Sequence, residues 1–290
     1  MDWMTRITQL DRRWIFLLVA IAVILPQIFI IKMPMEPTKP VKQVFDFIEQ
    51  IPEGGRVFIA LDYDPSSQAE LYPMTLSIMQ HCFERHLRVI ATTFWVTGKG
   101  LVSSAFTQME KEYNISHGVD YANYGFQVGY AYVVMQAGLN FPAALPIAKG
   151  QRTDEMEITR GVQKLADMDY IIDLAAGASI DMWVAYGVER YKFKLGGGVT
   201  AVSATQYYPY LDTGQLNGLI GGLKGAAEYE ILVNDEYSKK ANPLRKIDVD
   251  QKVFLGNGTK GMGSQSIVHA LIIFLVVITN IFFFITKRKV

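Results

Sequence analysis

The sequence predicts an α/β protein: a doubly wound, mainly parallel, five-stranded Rossmann-like sheet flanked by N- and C-terminal transmembrane helices. Of the 290 residues, 50% are hydrophobic and only 19% are charged, whereas soluble domains carry about 25% charged residues. Residues 14–31 and 267–285 contain no charged residue, and each stretch has the roughly 17–25 residues that cross a bilayer core. Between them, short apolar runs alternate with longer amphipathic stretches, which is typical of strands interleaved with helices.

Basic residues flank both uncharged stretches: Arg6, Arg12 and Arg13 precede the first, and Lys287, Arg288 and Lys289 follow the second. Because basic flanks stay in the cytoplasm, the sequence predicts a two-pass plasma-membrane protein with both termini cytoplasmic and the central domain extracytoplasmic. The predicted layout is a cytoplasmic N-terminus (1–13), a transmembrane helix (14–32), an extracytoplasmic α/β domain with a C-terminal connector (33–265), a transmembrane helix (266–286) and a cytoplasmic basic tail (287–290).

A cleaved signal peptide is the alternative interpretation of the first apolar stretch. Its 18 residues exceed the roughly 7–15 residues of a signal-peptide core. The segment that follows, KMPMEPTKP, also contains no cleavage motif of small residues. The stretch is therefore interpreted as an uncleaved anchor.

The charge and the cysteine count exclude several classes of protein. Removing the seven basic and two acidic residues of the flanks and spans from the 28 of each sign leaves the outer domain at about −5, which gives no electrostatic footprint for nucleic acid. The single cysteine, Cys82, excludes an intramolecular disulfide framework. The four histidines show no zinc-binding spacing. No metal and no cofactor are predicted.

The first half of the outer domain is predicted to hold three strands. A helix at 41–51 ends at Pro52, because proline and the following glycines cannot continue it. A continuously apolar strand follows at 56–61, typical of a strand covered on both faces. A capping-box spacing at Ser67 and Glu70 begins the next helix. The elements that follow are a strand at 88–94, a helix to about residue 113, a strand at 119–123 and an apolar segment at 128–136.

The second half of the outer domain is predicted to complete the sheet with two more strands. In order, the predicted elements are a helix at 157–165, a strand at 170–174, a helix at 179–186, a glycine turn at 196–198, a strand at 199–204 and a helix at 213–232. The charged segment 234–252 and the glycine-rich segment 256–263 are interpreted as a connector to the second span.

Three segments carry a resemblance: ALDYDPSSQAELYP, GVDYANYGF and PYLDTGQLNGLIGGLKGAAEYE, the last of which contains Gln215. Together they resemble a family of uncharacterised prokaryotic membrane proteins with an extracytoplasmic Rossmann-like domain between two terminal transmembrane helices. The resemblance implies the architecture and the topology, and it assigns no catalytic residue.

Polar residues at the predicted carboxyl ends of the strands are the first candidates for a site, because open α/β sheets bind ligands there. Asp62 and Asp64 after the first strand resemble the opening motif of haloacid-dehalogenase-like phosphatases, which would use magnesium. Thr92 or Thr93, Lys164, and Asp169 with Asp173 are the matching candidates for the other motifs of that family. The remaining strand-end candidates are Ser66, Thr97, Ser179, Thr205, Gln206 and Thr213.

Each of these residues also has a structural interpretation. Asp64, Ser66 and Ser67 have the residue types of a turn and a helix cap, which needs no chemistry. Residues 97–100 form either a plain turn or an anion-binding helix start. The structural interpretation is preferred for both segments.

The predicted helix at 213–232 contains closely spaced glycines: Gly218, Gly221, Gly222 and Gly225. Glycine inside a helix costs up to about 1 kcal/mol relative to alanine, so these positions predict a close approach of another backbone. That backbone belongs either to the domain itself or to a second subunit. Tyr207, Tyr208 and Tyr210 are candidates to line a pocket or an interface.

These observations predict a non-catalytic membrane-anchored domain that serves as a scaffold or subunit of a membrane protein assembly. Its predicted partners are the lipid bilayer and either a second copy or other membrane proteins. Two alternatives stay open: a magnesium-dependent phosphohydrolase that uses Asp62 and Asp64, and a small-ligand sensor.

Overall fold

Six parallel strands form the main sheet of the computed structural model, which describes residues 11–29, 34–246, 254 and 256–287. The strands are β1 (Arg56–Asp62), β2 (Arg88–Thr93), β3 (Tyr121–Phe126), β6 (Tyr170–Ala175), β7 (Leu195–Val199) and β8 (Leu219–Gly221). Their order is β3-β2-β1-β6-β7-β8, and every pair in this sheet is parallel. This is the doubly wound Rossmann-like order, with its switch point between β1 and β6. A separate two-stranded antiparallel sheet joins β4 (Ile147–Ala148) and β5 (Gln151–Arg152).

Helices cover both faces of the main sheet and enclose two hydrophobic clusters. One face carries α2 (Lys39–Glu49), α3 (Gln68–Glu84), α4 (Lys99–Glu112) and α10 (Gly222–Tyr237). The other carries α5 (Tyr130–Leu139), α6 (Phe141–Ala144), α7 (Ser179–Trp183), a π-helical turn (Val184–Val188), α8 (Glu189–Tyr191) and α9 (Ala204–Asp212). The predicted α/β class and parallel sheet are confirmed.

The sheet has six strands and not the predicted five, because two glycine-containing segments, Leu195–Val199 and Leu219–Gly221, form strands. Residues 196–198 lie inside β7 and not in a turn, and 201–204 lead into α9, so the strand predicted at 199–204 is wrong. The predicted helix at 213–232 is wrong over residues 213–221 and confirmed from residue 222. Leu219–Gly221 pairs with β7, and the helix begins only at Gly222, whose φ of 61° fits the turn between the two.

The predicted helix at 157–165 is wrong as well; this segment forms turns. Arg56 of β1 accounts for the difference, because its guanidinium donates to the carbonyl oxygens of Ile158 at 2.6 Å and Arg160 at 2.9 Å. Those carbonyls are the acceptors that a helix would need for its own hydrogen bonds.

Two compact units make up the chain: Met1–Pro34 with Thr259–Val290, and Met35–Gly258, which holds the sheet. The first contains α1 (Arg12–Ile28) and most of α11 (Asn257–Lys287). Within it, Ser264 Oγ lies 3.2 Å from the carbonyl oxygen of Val23 and accepts a bond of 3.2 Å from Gln27 Nε2. These contacts join the two apolar helices.

Among the described residues, one helix, Asn257–Ile285, is long and apolar enough to cross a membrane, and its most apolar 18-residue stretch has a mean hydropathy of 2.7. The described part of α1 has 17 residues, and part of the span predicted at 14–32 lies outside the described residues. The segment 256–263, predicted as a connector, is helical from Asn257. The backbone N–H groups of Gly256 and Gly258 donate to the buried Glu230 carboxylate, at 3.1 and 2.9 Å. A Cβ at Gly258 would lie 2.9 Å from Glu230. Glycine at this position therefore allows close packing.

Candidate functional site at the carboxyl edge of the sheet

Asp62 and Asp173 lie together at the switch point. Asp62 is the last residue of β1, and Asp173 belongs to the neighbouring β6, where it pairs with Ala60. Since side chains alternate along a strand and paired residues share a face, both carboxyl groups project from the same face of the sheet. Open α/β sheets bind ligands at this place.

Both carboxyl groups are completely buried, with exposed fractions of 0%. Asp62 Oδ1 accepts a hydrogen bond of 2.7 Å from the backbone N–H of Phe94. Asp62 Oδ2 and both oxygens of Asp173 have no hydrogen-bond partner among the described residues. Burial raises the pKa of Asp62 to about 7. Burial and, next, the charge of Asp62 raise the pKa of Asp173 well above its ordinary value, as expected for two acids in one dry site.

Aromatic side chains surround this acidic pair. Burial raises the pKa of Tyr130 well above its ordinary value, and the charges of Asp173 and Asp62 raise it further. Its phenol donates a hydrogen bond of 3.0 Å to the carbonyl oxygen of Ser179. Tyr130 packs against Phe94 with ring centroids 4.4 Å apart and against Trp183 at 5.9 Å. The sequence analysis did not identify Tyr130 or Trp183; the one signal was their position just beyond β3 and β6.

Asp64 is engaged in a turn. Its Oδ1 accepts from Ser66 N at 2.8 Å and from Ser66 Oγ at 2.5 Å. This bonding caps a single 3₁₀ turn (Pro65–Ser67) and lowers the pKa of the Asp64 carboxyl. The turn interpretation of Asp64 and Ser66 therefore agrees with the structure.

The predicted capping box at Ser67 and Glu70 is wrong. Ser67 makes no capping bond with its side chain, and Glu70 Oε2 instead accepts from the backbone N–H of Ala201 at 2.8 Å. The preceding 3₁₀ turn, capped by Asp64, already begins the helix.

Thr93 and Thr97 occupy different environments. Thr93 is fully buried, and its Oγ accepts a hydrogen bond of 3.0 Å from the backbone N–H of Trp95. Thr97 is exposed. A Cβ on Gly98, the residue after Thr97, would lie 2.5 Å from Thr93 Oγ and 3.0 Å from the carbonyl oxygen of Leu61. Close packing against β1 therefore explains this glycine.

The remaining phosphatase-like candidates lie at the opposite edge. Asp169 accepts from the backbone N–H of Arg56, the first residue of β1, at 2.7 Å. Lys164 also precedes β6 and is exposed. Both residues therefore belong to the amino edge of the parallel sheet, and the structure does not bring them to Asp62.

The three candidate tyrosines are at the carboxyl edge, and two of them share one acid. The Oη atoms of Tyr207 and Tyr210 donate to the carboxylate of Asp181, at 3.3 and 2.7 Å. Tyr208 is 47% exposed. Gln215 donates from Nε2 to Glu189 at 2.5 Å.

The candidate glycines pack against their own domain. A Cβ on Gly218 would lie 2.6 Å from Val44 of α2, and one on Gly222 would lie 2.6 Å from Ala201. For Gly221 and Gly225, the nearest atoms would be those of Ala204 and Ile220, at 3.0 Å. Of the two alternatives, intramolecular packing accounts for all four close approaches.

A small cavity of about 220 Å³ lies beside β8 and α10, and Thr38, Tyr208, Lys224 and Glu228 are among the residues that line it. Glu228 is buried and pairs with Lys224; its other oxygen accepts from Thr38 N at 3.0 Å and Thr38 Oγ at 2.7 Å. Among the described residues, both oxygens of the Glu228 carboxylate therefore have partners, unlike most oxygens of the acidic pair.

Comparison of the chain with models of protein families, with curated proteins and with solved structures finds no match.

Proposed function

We propose that this protein is a non-catalytic, membrane-anchored extracytoplasmic domain that acts as a scaffold or subunit of a membrane protein assembly. The observation that carries the proposal is a set of exposed apolar side chains at the carboxyl edge, here called the apolar rim. It consists of Val96, Val128, Tyr132 and Val202, whose exposed fractions are 70%, 78%, 65% and 85%.

The members of the apolar rim come from three different connections, after β2, β3 and β7. Because the strands are parallel, all three connections leave the same edge of the sheet. Single exposed apolar residues are common, but several on one edge are typical of a surface that binds another protein. We therefore propose that the occupant is a second copy or another membrane protein.

We further propose the two-pass topology, with both termini cytoplasmic. The basic flanks of both apolar stretches support this orientation, and the contacts of Ser264 with Val23 and Gln27 support two paired helices. Anchors at both ends would hold the domain near the bilayer, where neighbouring membrane proteins are at high effective concentration.

The test extracts the full chain from its native membrane in mild detergent and measures the size and composition of the complex. A complex larger than the 32.6 kDa chain is expected, and the double variant Val96→Asp/Val128→Asp should release the partner. Ile147→Asp is the matched control, because Ile147 is 55% exposed but lies in the separate β4–β5 sheet. A lone chain in the wild type, or equal loss in the control, would contradict the proposal.

A phosphohydrolase is the second candidate, favoured by the position of Asp62 at the end of β1 and of Asp173 in the neighbouring strand β6. Such an enzyme would use Asp62 as nucleophile, so Asp62→Asn should abolish phosphatase activity with magnesium, whereas an assembly protein would be indifferent. The complete burial of Asp62 and the engagement of Asp64 in its turn favour the assembly proposal.

A small-ligand sensor is the third candidate, supported by the cavity beside Lys224. Its volume of about 220 Å³ is below the roughly 300–1,000 Å³ of drug-sized sites, so the ligand would be small. A ligand-dependent rise in the melting temperature that Lys224→Met removes would favour it.

A further inference from the structure

Buried polar atoms without a partner concentrate around the acidic pair. Asp62 Oδ2, Asp173 Oδ1, Asp173 Oδ2 and Ser179 Oγ all lack a hydrogen-bond partner among the described residues. Ser179 is 6% exposed and faces Asp173 closely enough to lower the pKa of that carboxyl. A buried hydroxyl on the next helix therefore lies close to the Asp173 carboxyl group.

In the part of the chain that the structure describes, no positive side chain compensates these acids. Among the described residues, no ion pair includes Asp62 or Asp173. Burying an unpaired charge is costly, so neighbouring carboxylates either share a proton or bind a cation. A shared proton would join Asp62 Oδ2 to one oxygen of Asp173. The other Asp173 oxygen and Ser179 Oγ would still lack a hydrogen-bond partner among the described residues.

We propose that Asp62, Asp173 and Ser179 bind a hard divalent cation of the Mg²⁺ or Ca²⁺ type at the switch point. Carboxylate and hydroxyl oxygens are the ligands that such ions prefer, and Mg²⁺ is commonly held by one or two carboxylates with water completing its shell. The described residues contain no group of three or more His, Cys, Asp and Glu side chains that could hold a metal, so the third ligand from the protein would be the Ser179 hydroxyl. The proposal requires neither hydrolysis nor the proposed assembly function.

The experiment uses the full chain in detergent after treatment with EDTA. Mn²⁺, a paramagnetic substitute for Mg²⁺, is titrated and followed by electron paramagnetic resonance, and the melting temperature is measured with Mg²⁺ and with Ca²⁺. One bound ion per chain and a rise in melting temperature are expected. Asp173→Asn and Asp62→Asn should weaken binding by on the order of tenfold or more, since even outer-shell changes cost about 10–100-fold.

Asp181→Asn is the matched control, because Asp181 lies at the same edge but is already bonded by Tyr207 and Tyr210. This variant should keep the wild-type affinity. If the aspartate variants fail to fold, Ser179→Ala decides, and weaker Mn²⁺ binding is expected. The proposal would be overturned if the wild type does not bind one Mn²⁺ per chain. It would also be overturned if Asp173→Asn binds Mn²⁺ as the wild type does or, where that variant fails to fold, if Ser179→Ala does.

Discussion

The His81 side chain is fully buried and links three helices. Its Nδ1 lies 2.7 Å from Tyr229 Oη on α10, and its Nε2 lies 2.8 Å from Glu49 Oε1 on α2. Phe45 stacks on the imidazole with ring centroids 4.4 Å apart. Because burial outweighs the attraction of Glu49, the pKa of His81 is lowered from its ordinary value.

We therefore predict that the α/β domain loses stability as the pH falls. With a lowered pKa in the folded state, His81 binds fewer protons there than in the unfolded chain, so its contribution is fully present above the ordinary pKa of 6.5. Below that pH, the free energy of unfolding should fall by up to about 1.4 kcal/mol per pH unit. Glu49 acts in the same direction at lower pH: burial alone would raise its pKa, but the bonds from His81 and Tyr237 lower it overall.

Urea unfolding between pH 5 and pH 8 measures this dependence. His81→Gln should flatten the slope between pH 5 and pH 6.5. His86→Asn is the control, because His86 is not buried and its φ of 54° suits asparagine. The same slope in His81→Gln as in the wild type would show that another group titrates.

The regular elements were predictable wherever apolar periodicity decided them, and glycine explains most of the failures. Strands β1, β2 and β6 were predicted within one residue, because each is a run of buried aliphatic residues. Strand β7 has the sequence LGGGV, which reads as a turn in a single sequence. Its glycines are explained only by side chains that are distant in sequence: Tyr170 lies over Gly196, and Leu174 over Gly198.

The candidate site was predictable in part, because apolar strands are recognisable in the sequence and mark the residues next to them. Asp62 and Ser179 are predictable because they follow predicted apolar strands, and Asp173 because it lies near the carboxyl end of one. Their common environment is not, because it depends on the register between β1 and β6 and on Tyr130 and Trp183, which are set by tertiary packing.

We predict that Gly196→Ala destabilises the domain strongly. The added Cβ would lie 2.2 Å from Tyr170 Oη and 2.7 Å from Tyr170 Cζ, and Tyr170 is fully buried. Overpacking of this kind costs about 1–3 kcal/mol. Gly100→Ala is the control in α4: a Cβ there meets nothing within 4 Å, so the change should stabilise by about 0.5–1 kcal/mol. Thermal or urea unfolding compares them, and an unaffected Gly196→Ala protein would contradict the packing of β7.

At the scale of the whole molecule, the proposed topology rests on charges at the two ends of the chain, and the single cysteine makes it testable. Cys82 is fully buried, and burial raises the pKa of its thiol far above the ordinary value. A buried thiol without thiolate character reacts poorly with maleimides. The native protein should therefore react little with maleimides, so that labelling of a variant reports on its one introduced cysteine.

We predict that Glu53→Cys, in the exposed turn after α2, reacts with a membrane-impermeant maleimide in intact cells or right-side-out vesicles. Thr5→Cys, before the first apolar stretch, should react only after the membrane is permeabilised. The wild type is the control and should stay unlabelled in both conditions. If only Thr5→Cys is labelled in intact cells, the orientation of the protein in the membrane is the opposite of the proposed one. A third outcome is that Thr5→Cys is not labelled either before or after permeabilisation, and that the mass of the mature protein is smaller by about thirty N-terminal residues. This outcome would identify the first apolar stretch as a cleaved signal peptide and leave α11 as the sole anchor.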